Sequence, residues 1–233
     1  SLLNLIKKNK ISKTYFTNTL TSSFGLRIDG NSFTESTNSP NLSPRLSLAY
    51  NLNNKISVNS NIGRFYQLPS YTILGFDNNG NYLNKDADYI SCDHAVIGLE
   101  YSPSNYSKIT LESFYKSYNN YPFSILDSIS LANLGGDFGV VGNEDISSIS
   151  KGNSYGVELL AQQKMSSSIY GILSATYYRS RFEDKNDQLI SSSWDNRFIL
   201  NMTAGKKFKN NIELGIKYRY SGGSPYTPID IIN

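Results

Sequence analysis

The chain has 233 residues, 39% hydrophobic and 13% aromatic, with 18 tyrosines against 11 phenylalanines and one tryptophan. No run of about 18 apolar residues occurs, which excludes a membrane-spanning helix but not a barrel, whose strands need only about ten alternating residues each. A net charge of +3 leaves no nucleic-acid footprint, and a single cysteine, Cys92, excludes a disulfide framework within the chain.

The opening SLLNLIKKNK is not a signal peptide, because its apolar run is short and its lysines follow rather than precede it. Residues 1–17 are expected to hold a strand end and a turn. Alternation then begins. Leu20, Phe24, Leu26 and Ile28 share one face, with Arg27 on the other. Residues 31–42 are a polar loop, and Leu46, Leu48 and Tyr50 resume the pattern opposite Arg45. After a tight NLNN turn, Ile56, Val58 and Ile62 carry the next strand. A long Asn-, Gly-, Asp- and Tyr-rich stretch follows, Gln67 to Asp93.

Ile97, Leu99 and Tyr101 alternate with Gly98 and Glu100. Across the SPSN turn, Ile109, Leu111 and Tyr115 alternate with Glu112 and Lys116, where Phe114 interrupts the polar face. Asn119 to Lys151 is the longest irregular stretch. A hairpin of Ser154 to Gln163 and Ile169 to Arg181 comes next, carrying Glu158 on its polar face and Ile172 on the wrong one. Trp194 to Lys206 is expected as a strand with Arg197 among its polar positions. The cleanest alternation closes the series. Ile212, Leu214, Ile216, Tyr218 and Tyr220 oppose Glu213, Gly215, Lys217 and Arg219. The chain stops at SPYTPIDIIN without a closing strand, so it is expected to be a piece of a longer protein.

Short turns fall near 51–54, 102–105, 164–168 and 208–210, and long connections near 31–42, 67–93, 119–151 and 183–192. This sorting suits an outer-membrane barrel, with short turns on one side and long loops on the other. The expected fold is all-β: an antiparallel up-and-down transmembrane β-barrel segment of about nine strands, open and curved because it is a fragment of a larger barrel.

Charge on the outward face would meet lipid at a cost of about 2–4 kcal/mol per Arg or Lys at mid-membrane. Arg27, Arg45, Glu100, Glu112, Lys116, Glu158, Arg197, Glu213, Lys217 and Arg219 are therefore assigned to the lumen. There they pair across strands or meet a domain filling the barrel. No catalytic constellation stands up. His94 beside Cys92 and Asp93 lacks a second histidine for zinc, and neighbouring residues on a strand point to opposite faces. The Gly135–Gly139 loop opens no helix, so it is no phosphate cradle. Asp77, Asp86 and Asp88 match no EF-hand spacing and read as a solvated loop. No enzyme activity, cofactor or metal is expected. Tyr71, Phe76, Tyr82, Tyr89, Tyr121 and Phe123 are the candidate solute-contacting rings of the outer loops, although such rings also serve to pack loops together.

Several motifs in order resemble the barrel of TonB-dependent outer-membrane receptors, particularly the Bacteroidetes type. They are NLSPRLSLAY (41–50), NIGRFYQLPSY (61–71), HAVIGLEY (94–101), ESFYK (112–116), SYGVE (154–158), SWDNR (193–197) and GGSPYTP (222–228). The resemblance implies a 22-stranded barrel in the Gram-negative outer membrane with an N-terminal plug. It also implies energised import through the TonB–ExbB–ExbD system of a scarce solute such as a siderophore, cofactor, glycan or peptide. The partners implied are outer-membrane lipid, the plug of the same full-length chain and that small solute. Plug and final strands are expected to lie outside residues 1–233. Trp194, Asp195 and Arg197 are read as anchoring a strand near the outer rim. The other readings are a passive porin-type barrel and a ligand-binding surface β-protein.

Overall fold

A computed structural model describes residues 4–15, 19–34, 40–134, 141–166, 168–210 and 212–225. In chain order the first elements are β1 (Asn4–Tyr15), β2 (Leu20–Asn31), β3 (Asn41–Asn51), β4 (Ile56–Gln67) and the single-turn α1 (Tyr71–Leu74). Next come β5 (Asp77–Asn78), β6 (Asn81–Tyr82), β7 (Ile90–Ser104), β8 (Ser107–Ser124) and β9 (Ile129–Ser130). The series ends with β10 (Ile146–Ser166), β11 (Ile169–Glu183), β12 (Leu189–Ser191), β13 (Phe198–Lys207) and β14 (Glu213–Ser221).

Ten strands form one antiparallel sheet in the order β1-β2-β3-β4-β7-β8-β10-β11-β13-β14. The short β9 adds to β8 and β12 to β11, while β5 and β6 pair only with each other. Every long strand pairs with its successor in sequence, so the sheet is a meander. It is not closed: β1 and β14 form its two edges.

The register explains the alternation. One row of outward residues runs through nine strands: Leu20, Tyr50, Val58, Leu99, Leu111, Leu159, Ala175, Leu200 and Tyr220. A row one residue away, on the opposite face, reads Asn59, Gly98, Glu112, Glu158 and Thr176. A one-residue slip in any pair would carry apolar side chains to the wrong face, so the two-faced pattern fixes the register.

The polar face is also the more shielded one. Along β8, Leu111, Ser113 and Tyr115 are exposed, while Glu112, Phe114 and Lys116 between them are half-buried. A sheet curling toward its polar side crowds that face and splays the other. From β3 to β14, outward charges sit near the strand ends: Arg64, Asp93 and Arg179 at the loop end, Lys206 at the turn end.

Three sequence expectations are corrected. Residues 4–15 form a full strand, paired from Asn4↔Asn31 to Tyr15↔Leu20. The free edge of β2 specifies this strand where pattern alone is weak. The third long connection is 125–145 rather than 119–151. Pairing of β8 with β10 runs on to Ser124↔Ile146, through register shifts between Ser147 and Gly152. There Ile146 and Ile149 stand three residues apart across the shifts, so the sequence gives no period of two. Finally, β13 begins at Phe198, not Trp194. Arg197 has φ 65°, which an extended strand does not accommodate.

The buried apolar cluster of Ile73, Leu131 and Ile146 lies in and beside the long connections, with Tyr121 and Leu134 packed against it. Among the described residues the sheet itself has no second layer.

Candidate functional site at the loop end

The short turns β1–β2, β3–β4, β7–β8, β10–β11 and β13–β14 share one end of the sheet, and the long connections share the other. At the loop end, two connections widely separated in sequence are tied together. The Asn84 side chain is 2% exposed. Its Nδ2 donates to the carbonyls of Ile73 (2.9 Å) and Glu144 (2.7 Å), and its Oδ1 accepts from the Ile146 amide (3.1 Å). One amide side chain thus joins residues 73, 84 and 144–146. Gly142 closes the same contact at φ +86°, and a Cβ there would lie 2.3 Å from Ile73 Cγ1.

A second knot holds the connection between β11 and β13. Asp195 is 1% exposed. Its carboxylate accepts from Arg179 Nε (3.0 Å), the Ser180 amide (3.0 Å) and Ser191 Oγ (2.8 Å). Tyr178 donates its hydroxyl to the Trp194 carbonyl at 2.5 Å. The anchor lies in the residues preceding β13 rather than within it.

Beneath the second connection lies a cavity of about 580 Å³, lined by Arg27, Phe65, Tyr71, Tyr89, Cys92 and Tyr118 among others. Arg27 pairs with Asp29 at its wall. The Tyr71 hydroxyl accepts from Asn31 Nδ2 at 3.3 Å, which seats α1 on the end of β2. Of the six rings singled out from the sequence, Tyr71 and Tyr89 meet here. Tyr82 packs edge-on to Phe33, Tyr121 packs at a tilt against Phe182 with ring centroids 4.7 Å apart, and Phe123 sits opposite Ser130 in the β8–β9 pair. Phe76 is half-buried in the β4–β7 connection. Phe65 and Tyr118 were not singled out, although continuing the inward parity of β4 and β8 past Gly63 and Lys116 reaches both.

The inner-face charges are arranged unevenly. Glu100 pairs with Lys108 at 2.5 Å, Arg45 lies 4.2 Å over the Phe65 ring, and Lys116 lies 5.4 Å over Phe114. Glu213 accepts from the Tyr170 hydroxyl at 2.5 Å. Glu112 and Glu158 are direct cross-strand partners. Lys217 and Arg219 face Thr203 and Asn201. Among the described residues none of these last four joins an ion pair, so cross-strand neutralisation covers only part of the wall. Arg197 lies in the β11–β13 connection, where its carbonyl accepts from the Tyr178 amide.

On β7, Cys92 and His94 point inward, while Asp93 points outward to Arg64. Among the described residues, no three His, Cys, Asp or Glu side chains gather as a metal-holding group. The Gly135–Gly139 stretch and the end of the 222–228 motif lie outside the described residues.

The model of the "TonB dependent receptor-like, beta-barrel" family matches residues 12–231. The chain belongs to that family. TonB-dependent receptors are Gram-negative outer-membrane transport proteins, which accords with the apolar-out, polar-in register. No curated protein matches the sequence significantly. Among solved structures, the chain is similar to the FrpB iron transporter of Neisseria meningitidis (13% identity, TM-score 0.61), covering 93% of this chain and 33% of that one. It is similar to the siderophore receptor PirA of Pseudomonas aeruginosa (16%, 0.64), covering 94% and 38%. It is also similar to the alcaligin outer-membrane receptor FauA of Bordetella pertussis (12%, 0.60), covering 93% and 38%. At these identities the likeness establishes the fold. The chain spans about a third of the length of these solved structures.

Proposed function

We propose that residues 1–233 form part of the barrel wall of a TonB-dependent outer-membrane receptor, of the Bacteroidetes type that the motifs resemble. The full protein imports a scarce solute — a siderophore, cofactor, glycan or peptide — using energy delivered by TonB–ExbB–ExbD. The observation that carries this reading is the inner wall. Glu112 and Glu158 stand side by side on the shielded face, and among the described residues no cation pairs with either. Like charges directly opposite are destabilising unless a further body neutralises them. A plug from the same chain is that body, with Lys217 and Arg219, in no ion pair among the described residues, facing its acidic groups. The cavity holding Tyr71 and Tyr89 is where the solute first meets the wall.

The test is uptake by cells carrying the full-length receptor. The labelled probes are a ferric siderophore, cobalamin, an oligosaccharide and an oligopeptide. Uptake of one probe that needs both the receptor and TonB supports the reading. Receptor-dependent uptake that persists without TonB overturns it in favour of a passive porin.

A further inference from the structure

The cavity at the loop end has two unlike halves, and the register separates them. Arg27 and Asp29 stand two residues apart on the inward face of β2, where the Tyr71–Asn31 bond seats α1. Phe65 lies two strands away on β4, about 10 Å by strand spacing. Cys92 and Tyr118 continue its row across β7 and β8. One half is therefore polar and the other aromatic.

The polar half has an unmet need. Arg27 Nε donates to Asp29 Oδ1 at 2.7 Å. Asp29 is 4% exposed, and among the described residues its Oδ2 has no hydrogen-bond partner. A buried acceptor in that state gains from any donor that a ligand brings. The Tyr71 hydroxyl accepts from Asn31 and keeps its own proton to give. In the aromatic half the rings are held in place. Arg45 lies 4.2 Å over Phe65, and Tyr118 packs at a tilt against Phe182, with centroids 5.4 Å apart. Among the described residues, Arg27 and Asp29 are the only charged side chains of the lining, and they pair with each other. No uncompensated charge is left there to hold an ionic solute.

We infer that this cavity takes a neutral solute joining a sugar diol to a flat aromatic ring, the shared chemistry of nucleosides and aryl glycosides. One hydroxyl of the diol donates to Asp29 Oδ2, and its neighbour accepts from Tyr71. The aromatic ring packs against Phe65 and Tyr118. A sugar without the ring leaves the aromatic half unused. A ring without the diol leaves Asp29 Oδ2 unpaired.

The inference rests on the import reading above, because it names the solute for the same cavity. The test is calorimetric titration of the full-length receptor in detergent with adenosine, 4-nitrophenyl glucoside, maltose and a ferric tris-catecholate. The expected result is binding of adenosine or the nitrophenyl glucoside, and whichever binds identifies the source. Maltose and the ferric complex bind about tenfold more weakly or not at all. Asp29→Asn, which keeps the size and removes the charge, weakens binding about tenfold. Phe65→Leu, which keeps apolar bulk without a flat ring, weakens it about fivefold. Phe24→Leu, on the outward face of β2, changes nothing. Binding of neither aryl probe overturns the inference, as does maltose or the ferric complex binding as tightly. Unchanged affinity in folded Asp29→Asn or Phe65→Leu overturns it too. All of these leave the import reading standing, which fails only if receptor-dependent uptake persists without TonB.

Discussion

Replacing Asn84 with alanine tests whether the two longest connections behave as one body. The substitution removes three hydrogen bonds. The Ile73 carbonyl still accepts from the Phe76 amide at 3.2 Å, so it is not orphaned. The Glu144 carbonyl and the Ile146 amide lose the partner that Asn84 supplies. Each buried backbone group left unpaired costs about 1–3 kcal/mol, giving about 2–6 kcal/mol for the two. That corresponds to an opening equilibrium raised about 30-fold or more. Amide hydrogen exchange on the full-length receptor in detergent reads it directly. Peptides covering 71–89 and 141–148 exchange faster together, while those covering β7 and β8 near the turn end do not change. Asn84→Asp keeps an acceptor for the Ile146 amide but loses both donations, so it accelerates exchange as well. Wild-type exchange in both connections would refute the reasoning. Acceleration in only one would show that the shared side chain does not couple them.

Asp195→Ala leaves Arg179, 19% exposed at its side chain, beside an emptied carboxylate site. Breaking a buried pair in this way costs about 3–5 kcal/mol, so exchange across 178–197 should accelerate more than a hundredfold, and a change under threefold would contradict the anchor. Gly142→Ala forces a side chain into φ +86° against Ile73, at about 1–3 kcal/mol. Protease cleavage within 125–145 should rise. Gly80→Ala, with a similar φ but nothing within 4 Å, should have the smaller effect on the 68–89 connection, and equal effects would refute the packing argument.

The strands were legible where one face is apolar and the other polar. Ile212 to Tyr220 needed only its own alternation, and β14 pairs with β13 in the register that alternation demands. Legibility failed where register shifts interrupt the alternation. Asn119 to Ser124 and Ile146 to Lys151 pair as strand extensions although their sequence carries no period. It failed again at Trp194–Arg197, whose alternation continues that of β13 while Asp195 takes the Ser180 amide and the φ of 65° at Arg197 ends the extended run. The cavity was half legible. Tyr71 and Tyr89 drew notice as loop aromatics, but Phe65 and Tyr118 belong to strands and reach it only through register. Asn84 carried no signal, because an asparagine in an Asn-rich loop gains meaning only from groups some sixty positions away. Ile172 remains on the inner face, opposite Gln162 and Thr203.

The Asn84 knot also bears on how such receptors diversify. Outer loops are usually treated as independent cassettes, each free to gain or lose residues. Here one side chain from the 68–89 loop supplies partners to the 125–145 loop and the start of β10, and Gly142 must clear Ile73. An insertion near either contact displaces both. The two loops therefore form a single unit of variation, and exchanging one between homologous receptors without the other should yield a barrel whose mouth is misassembled.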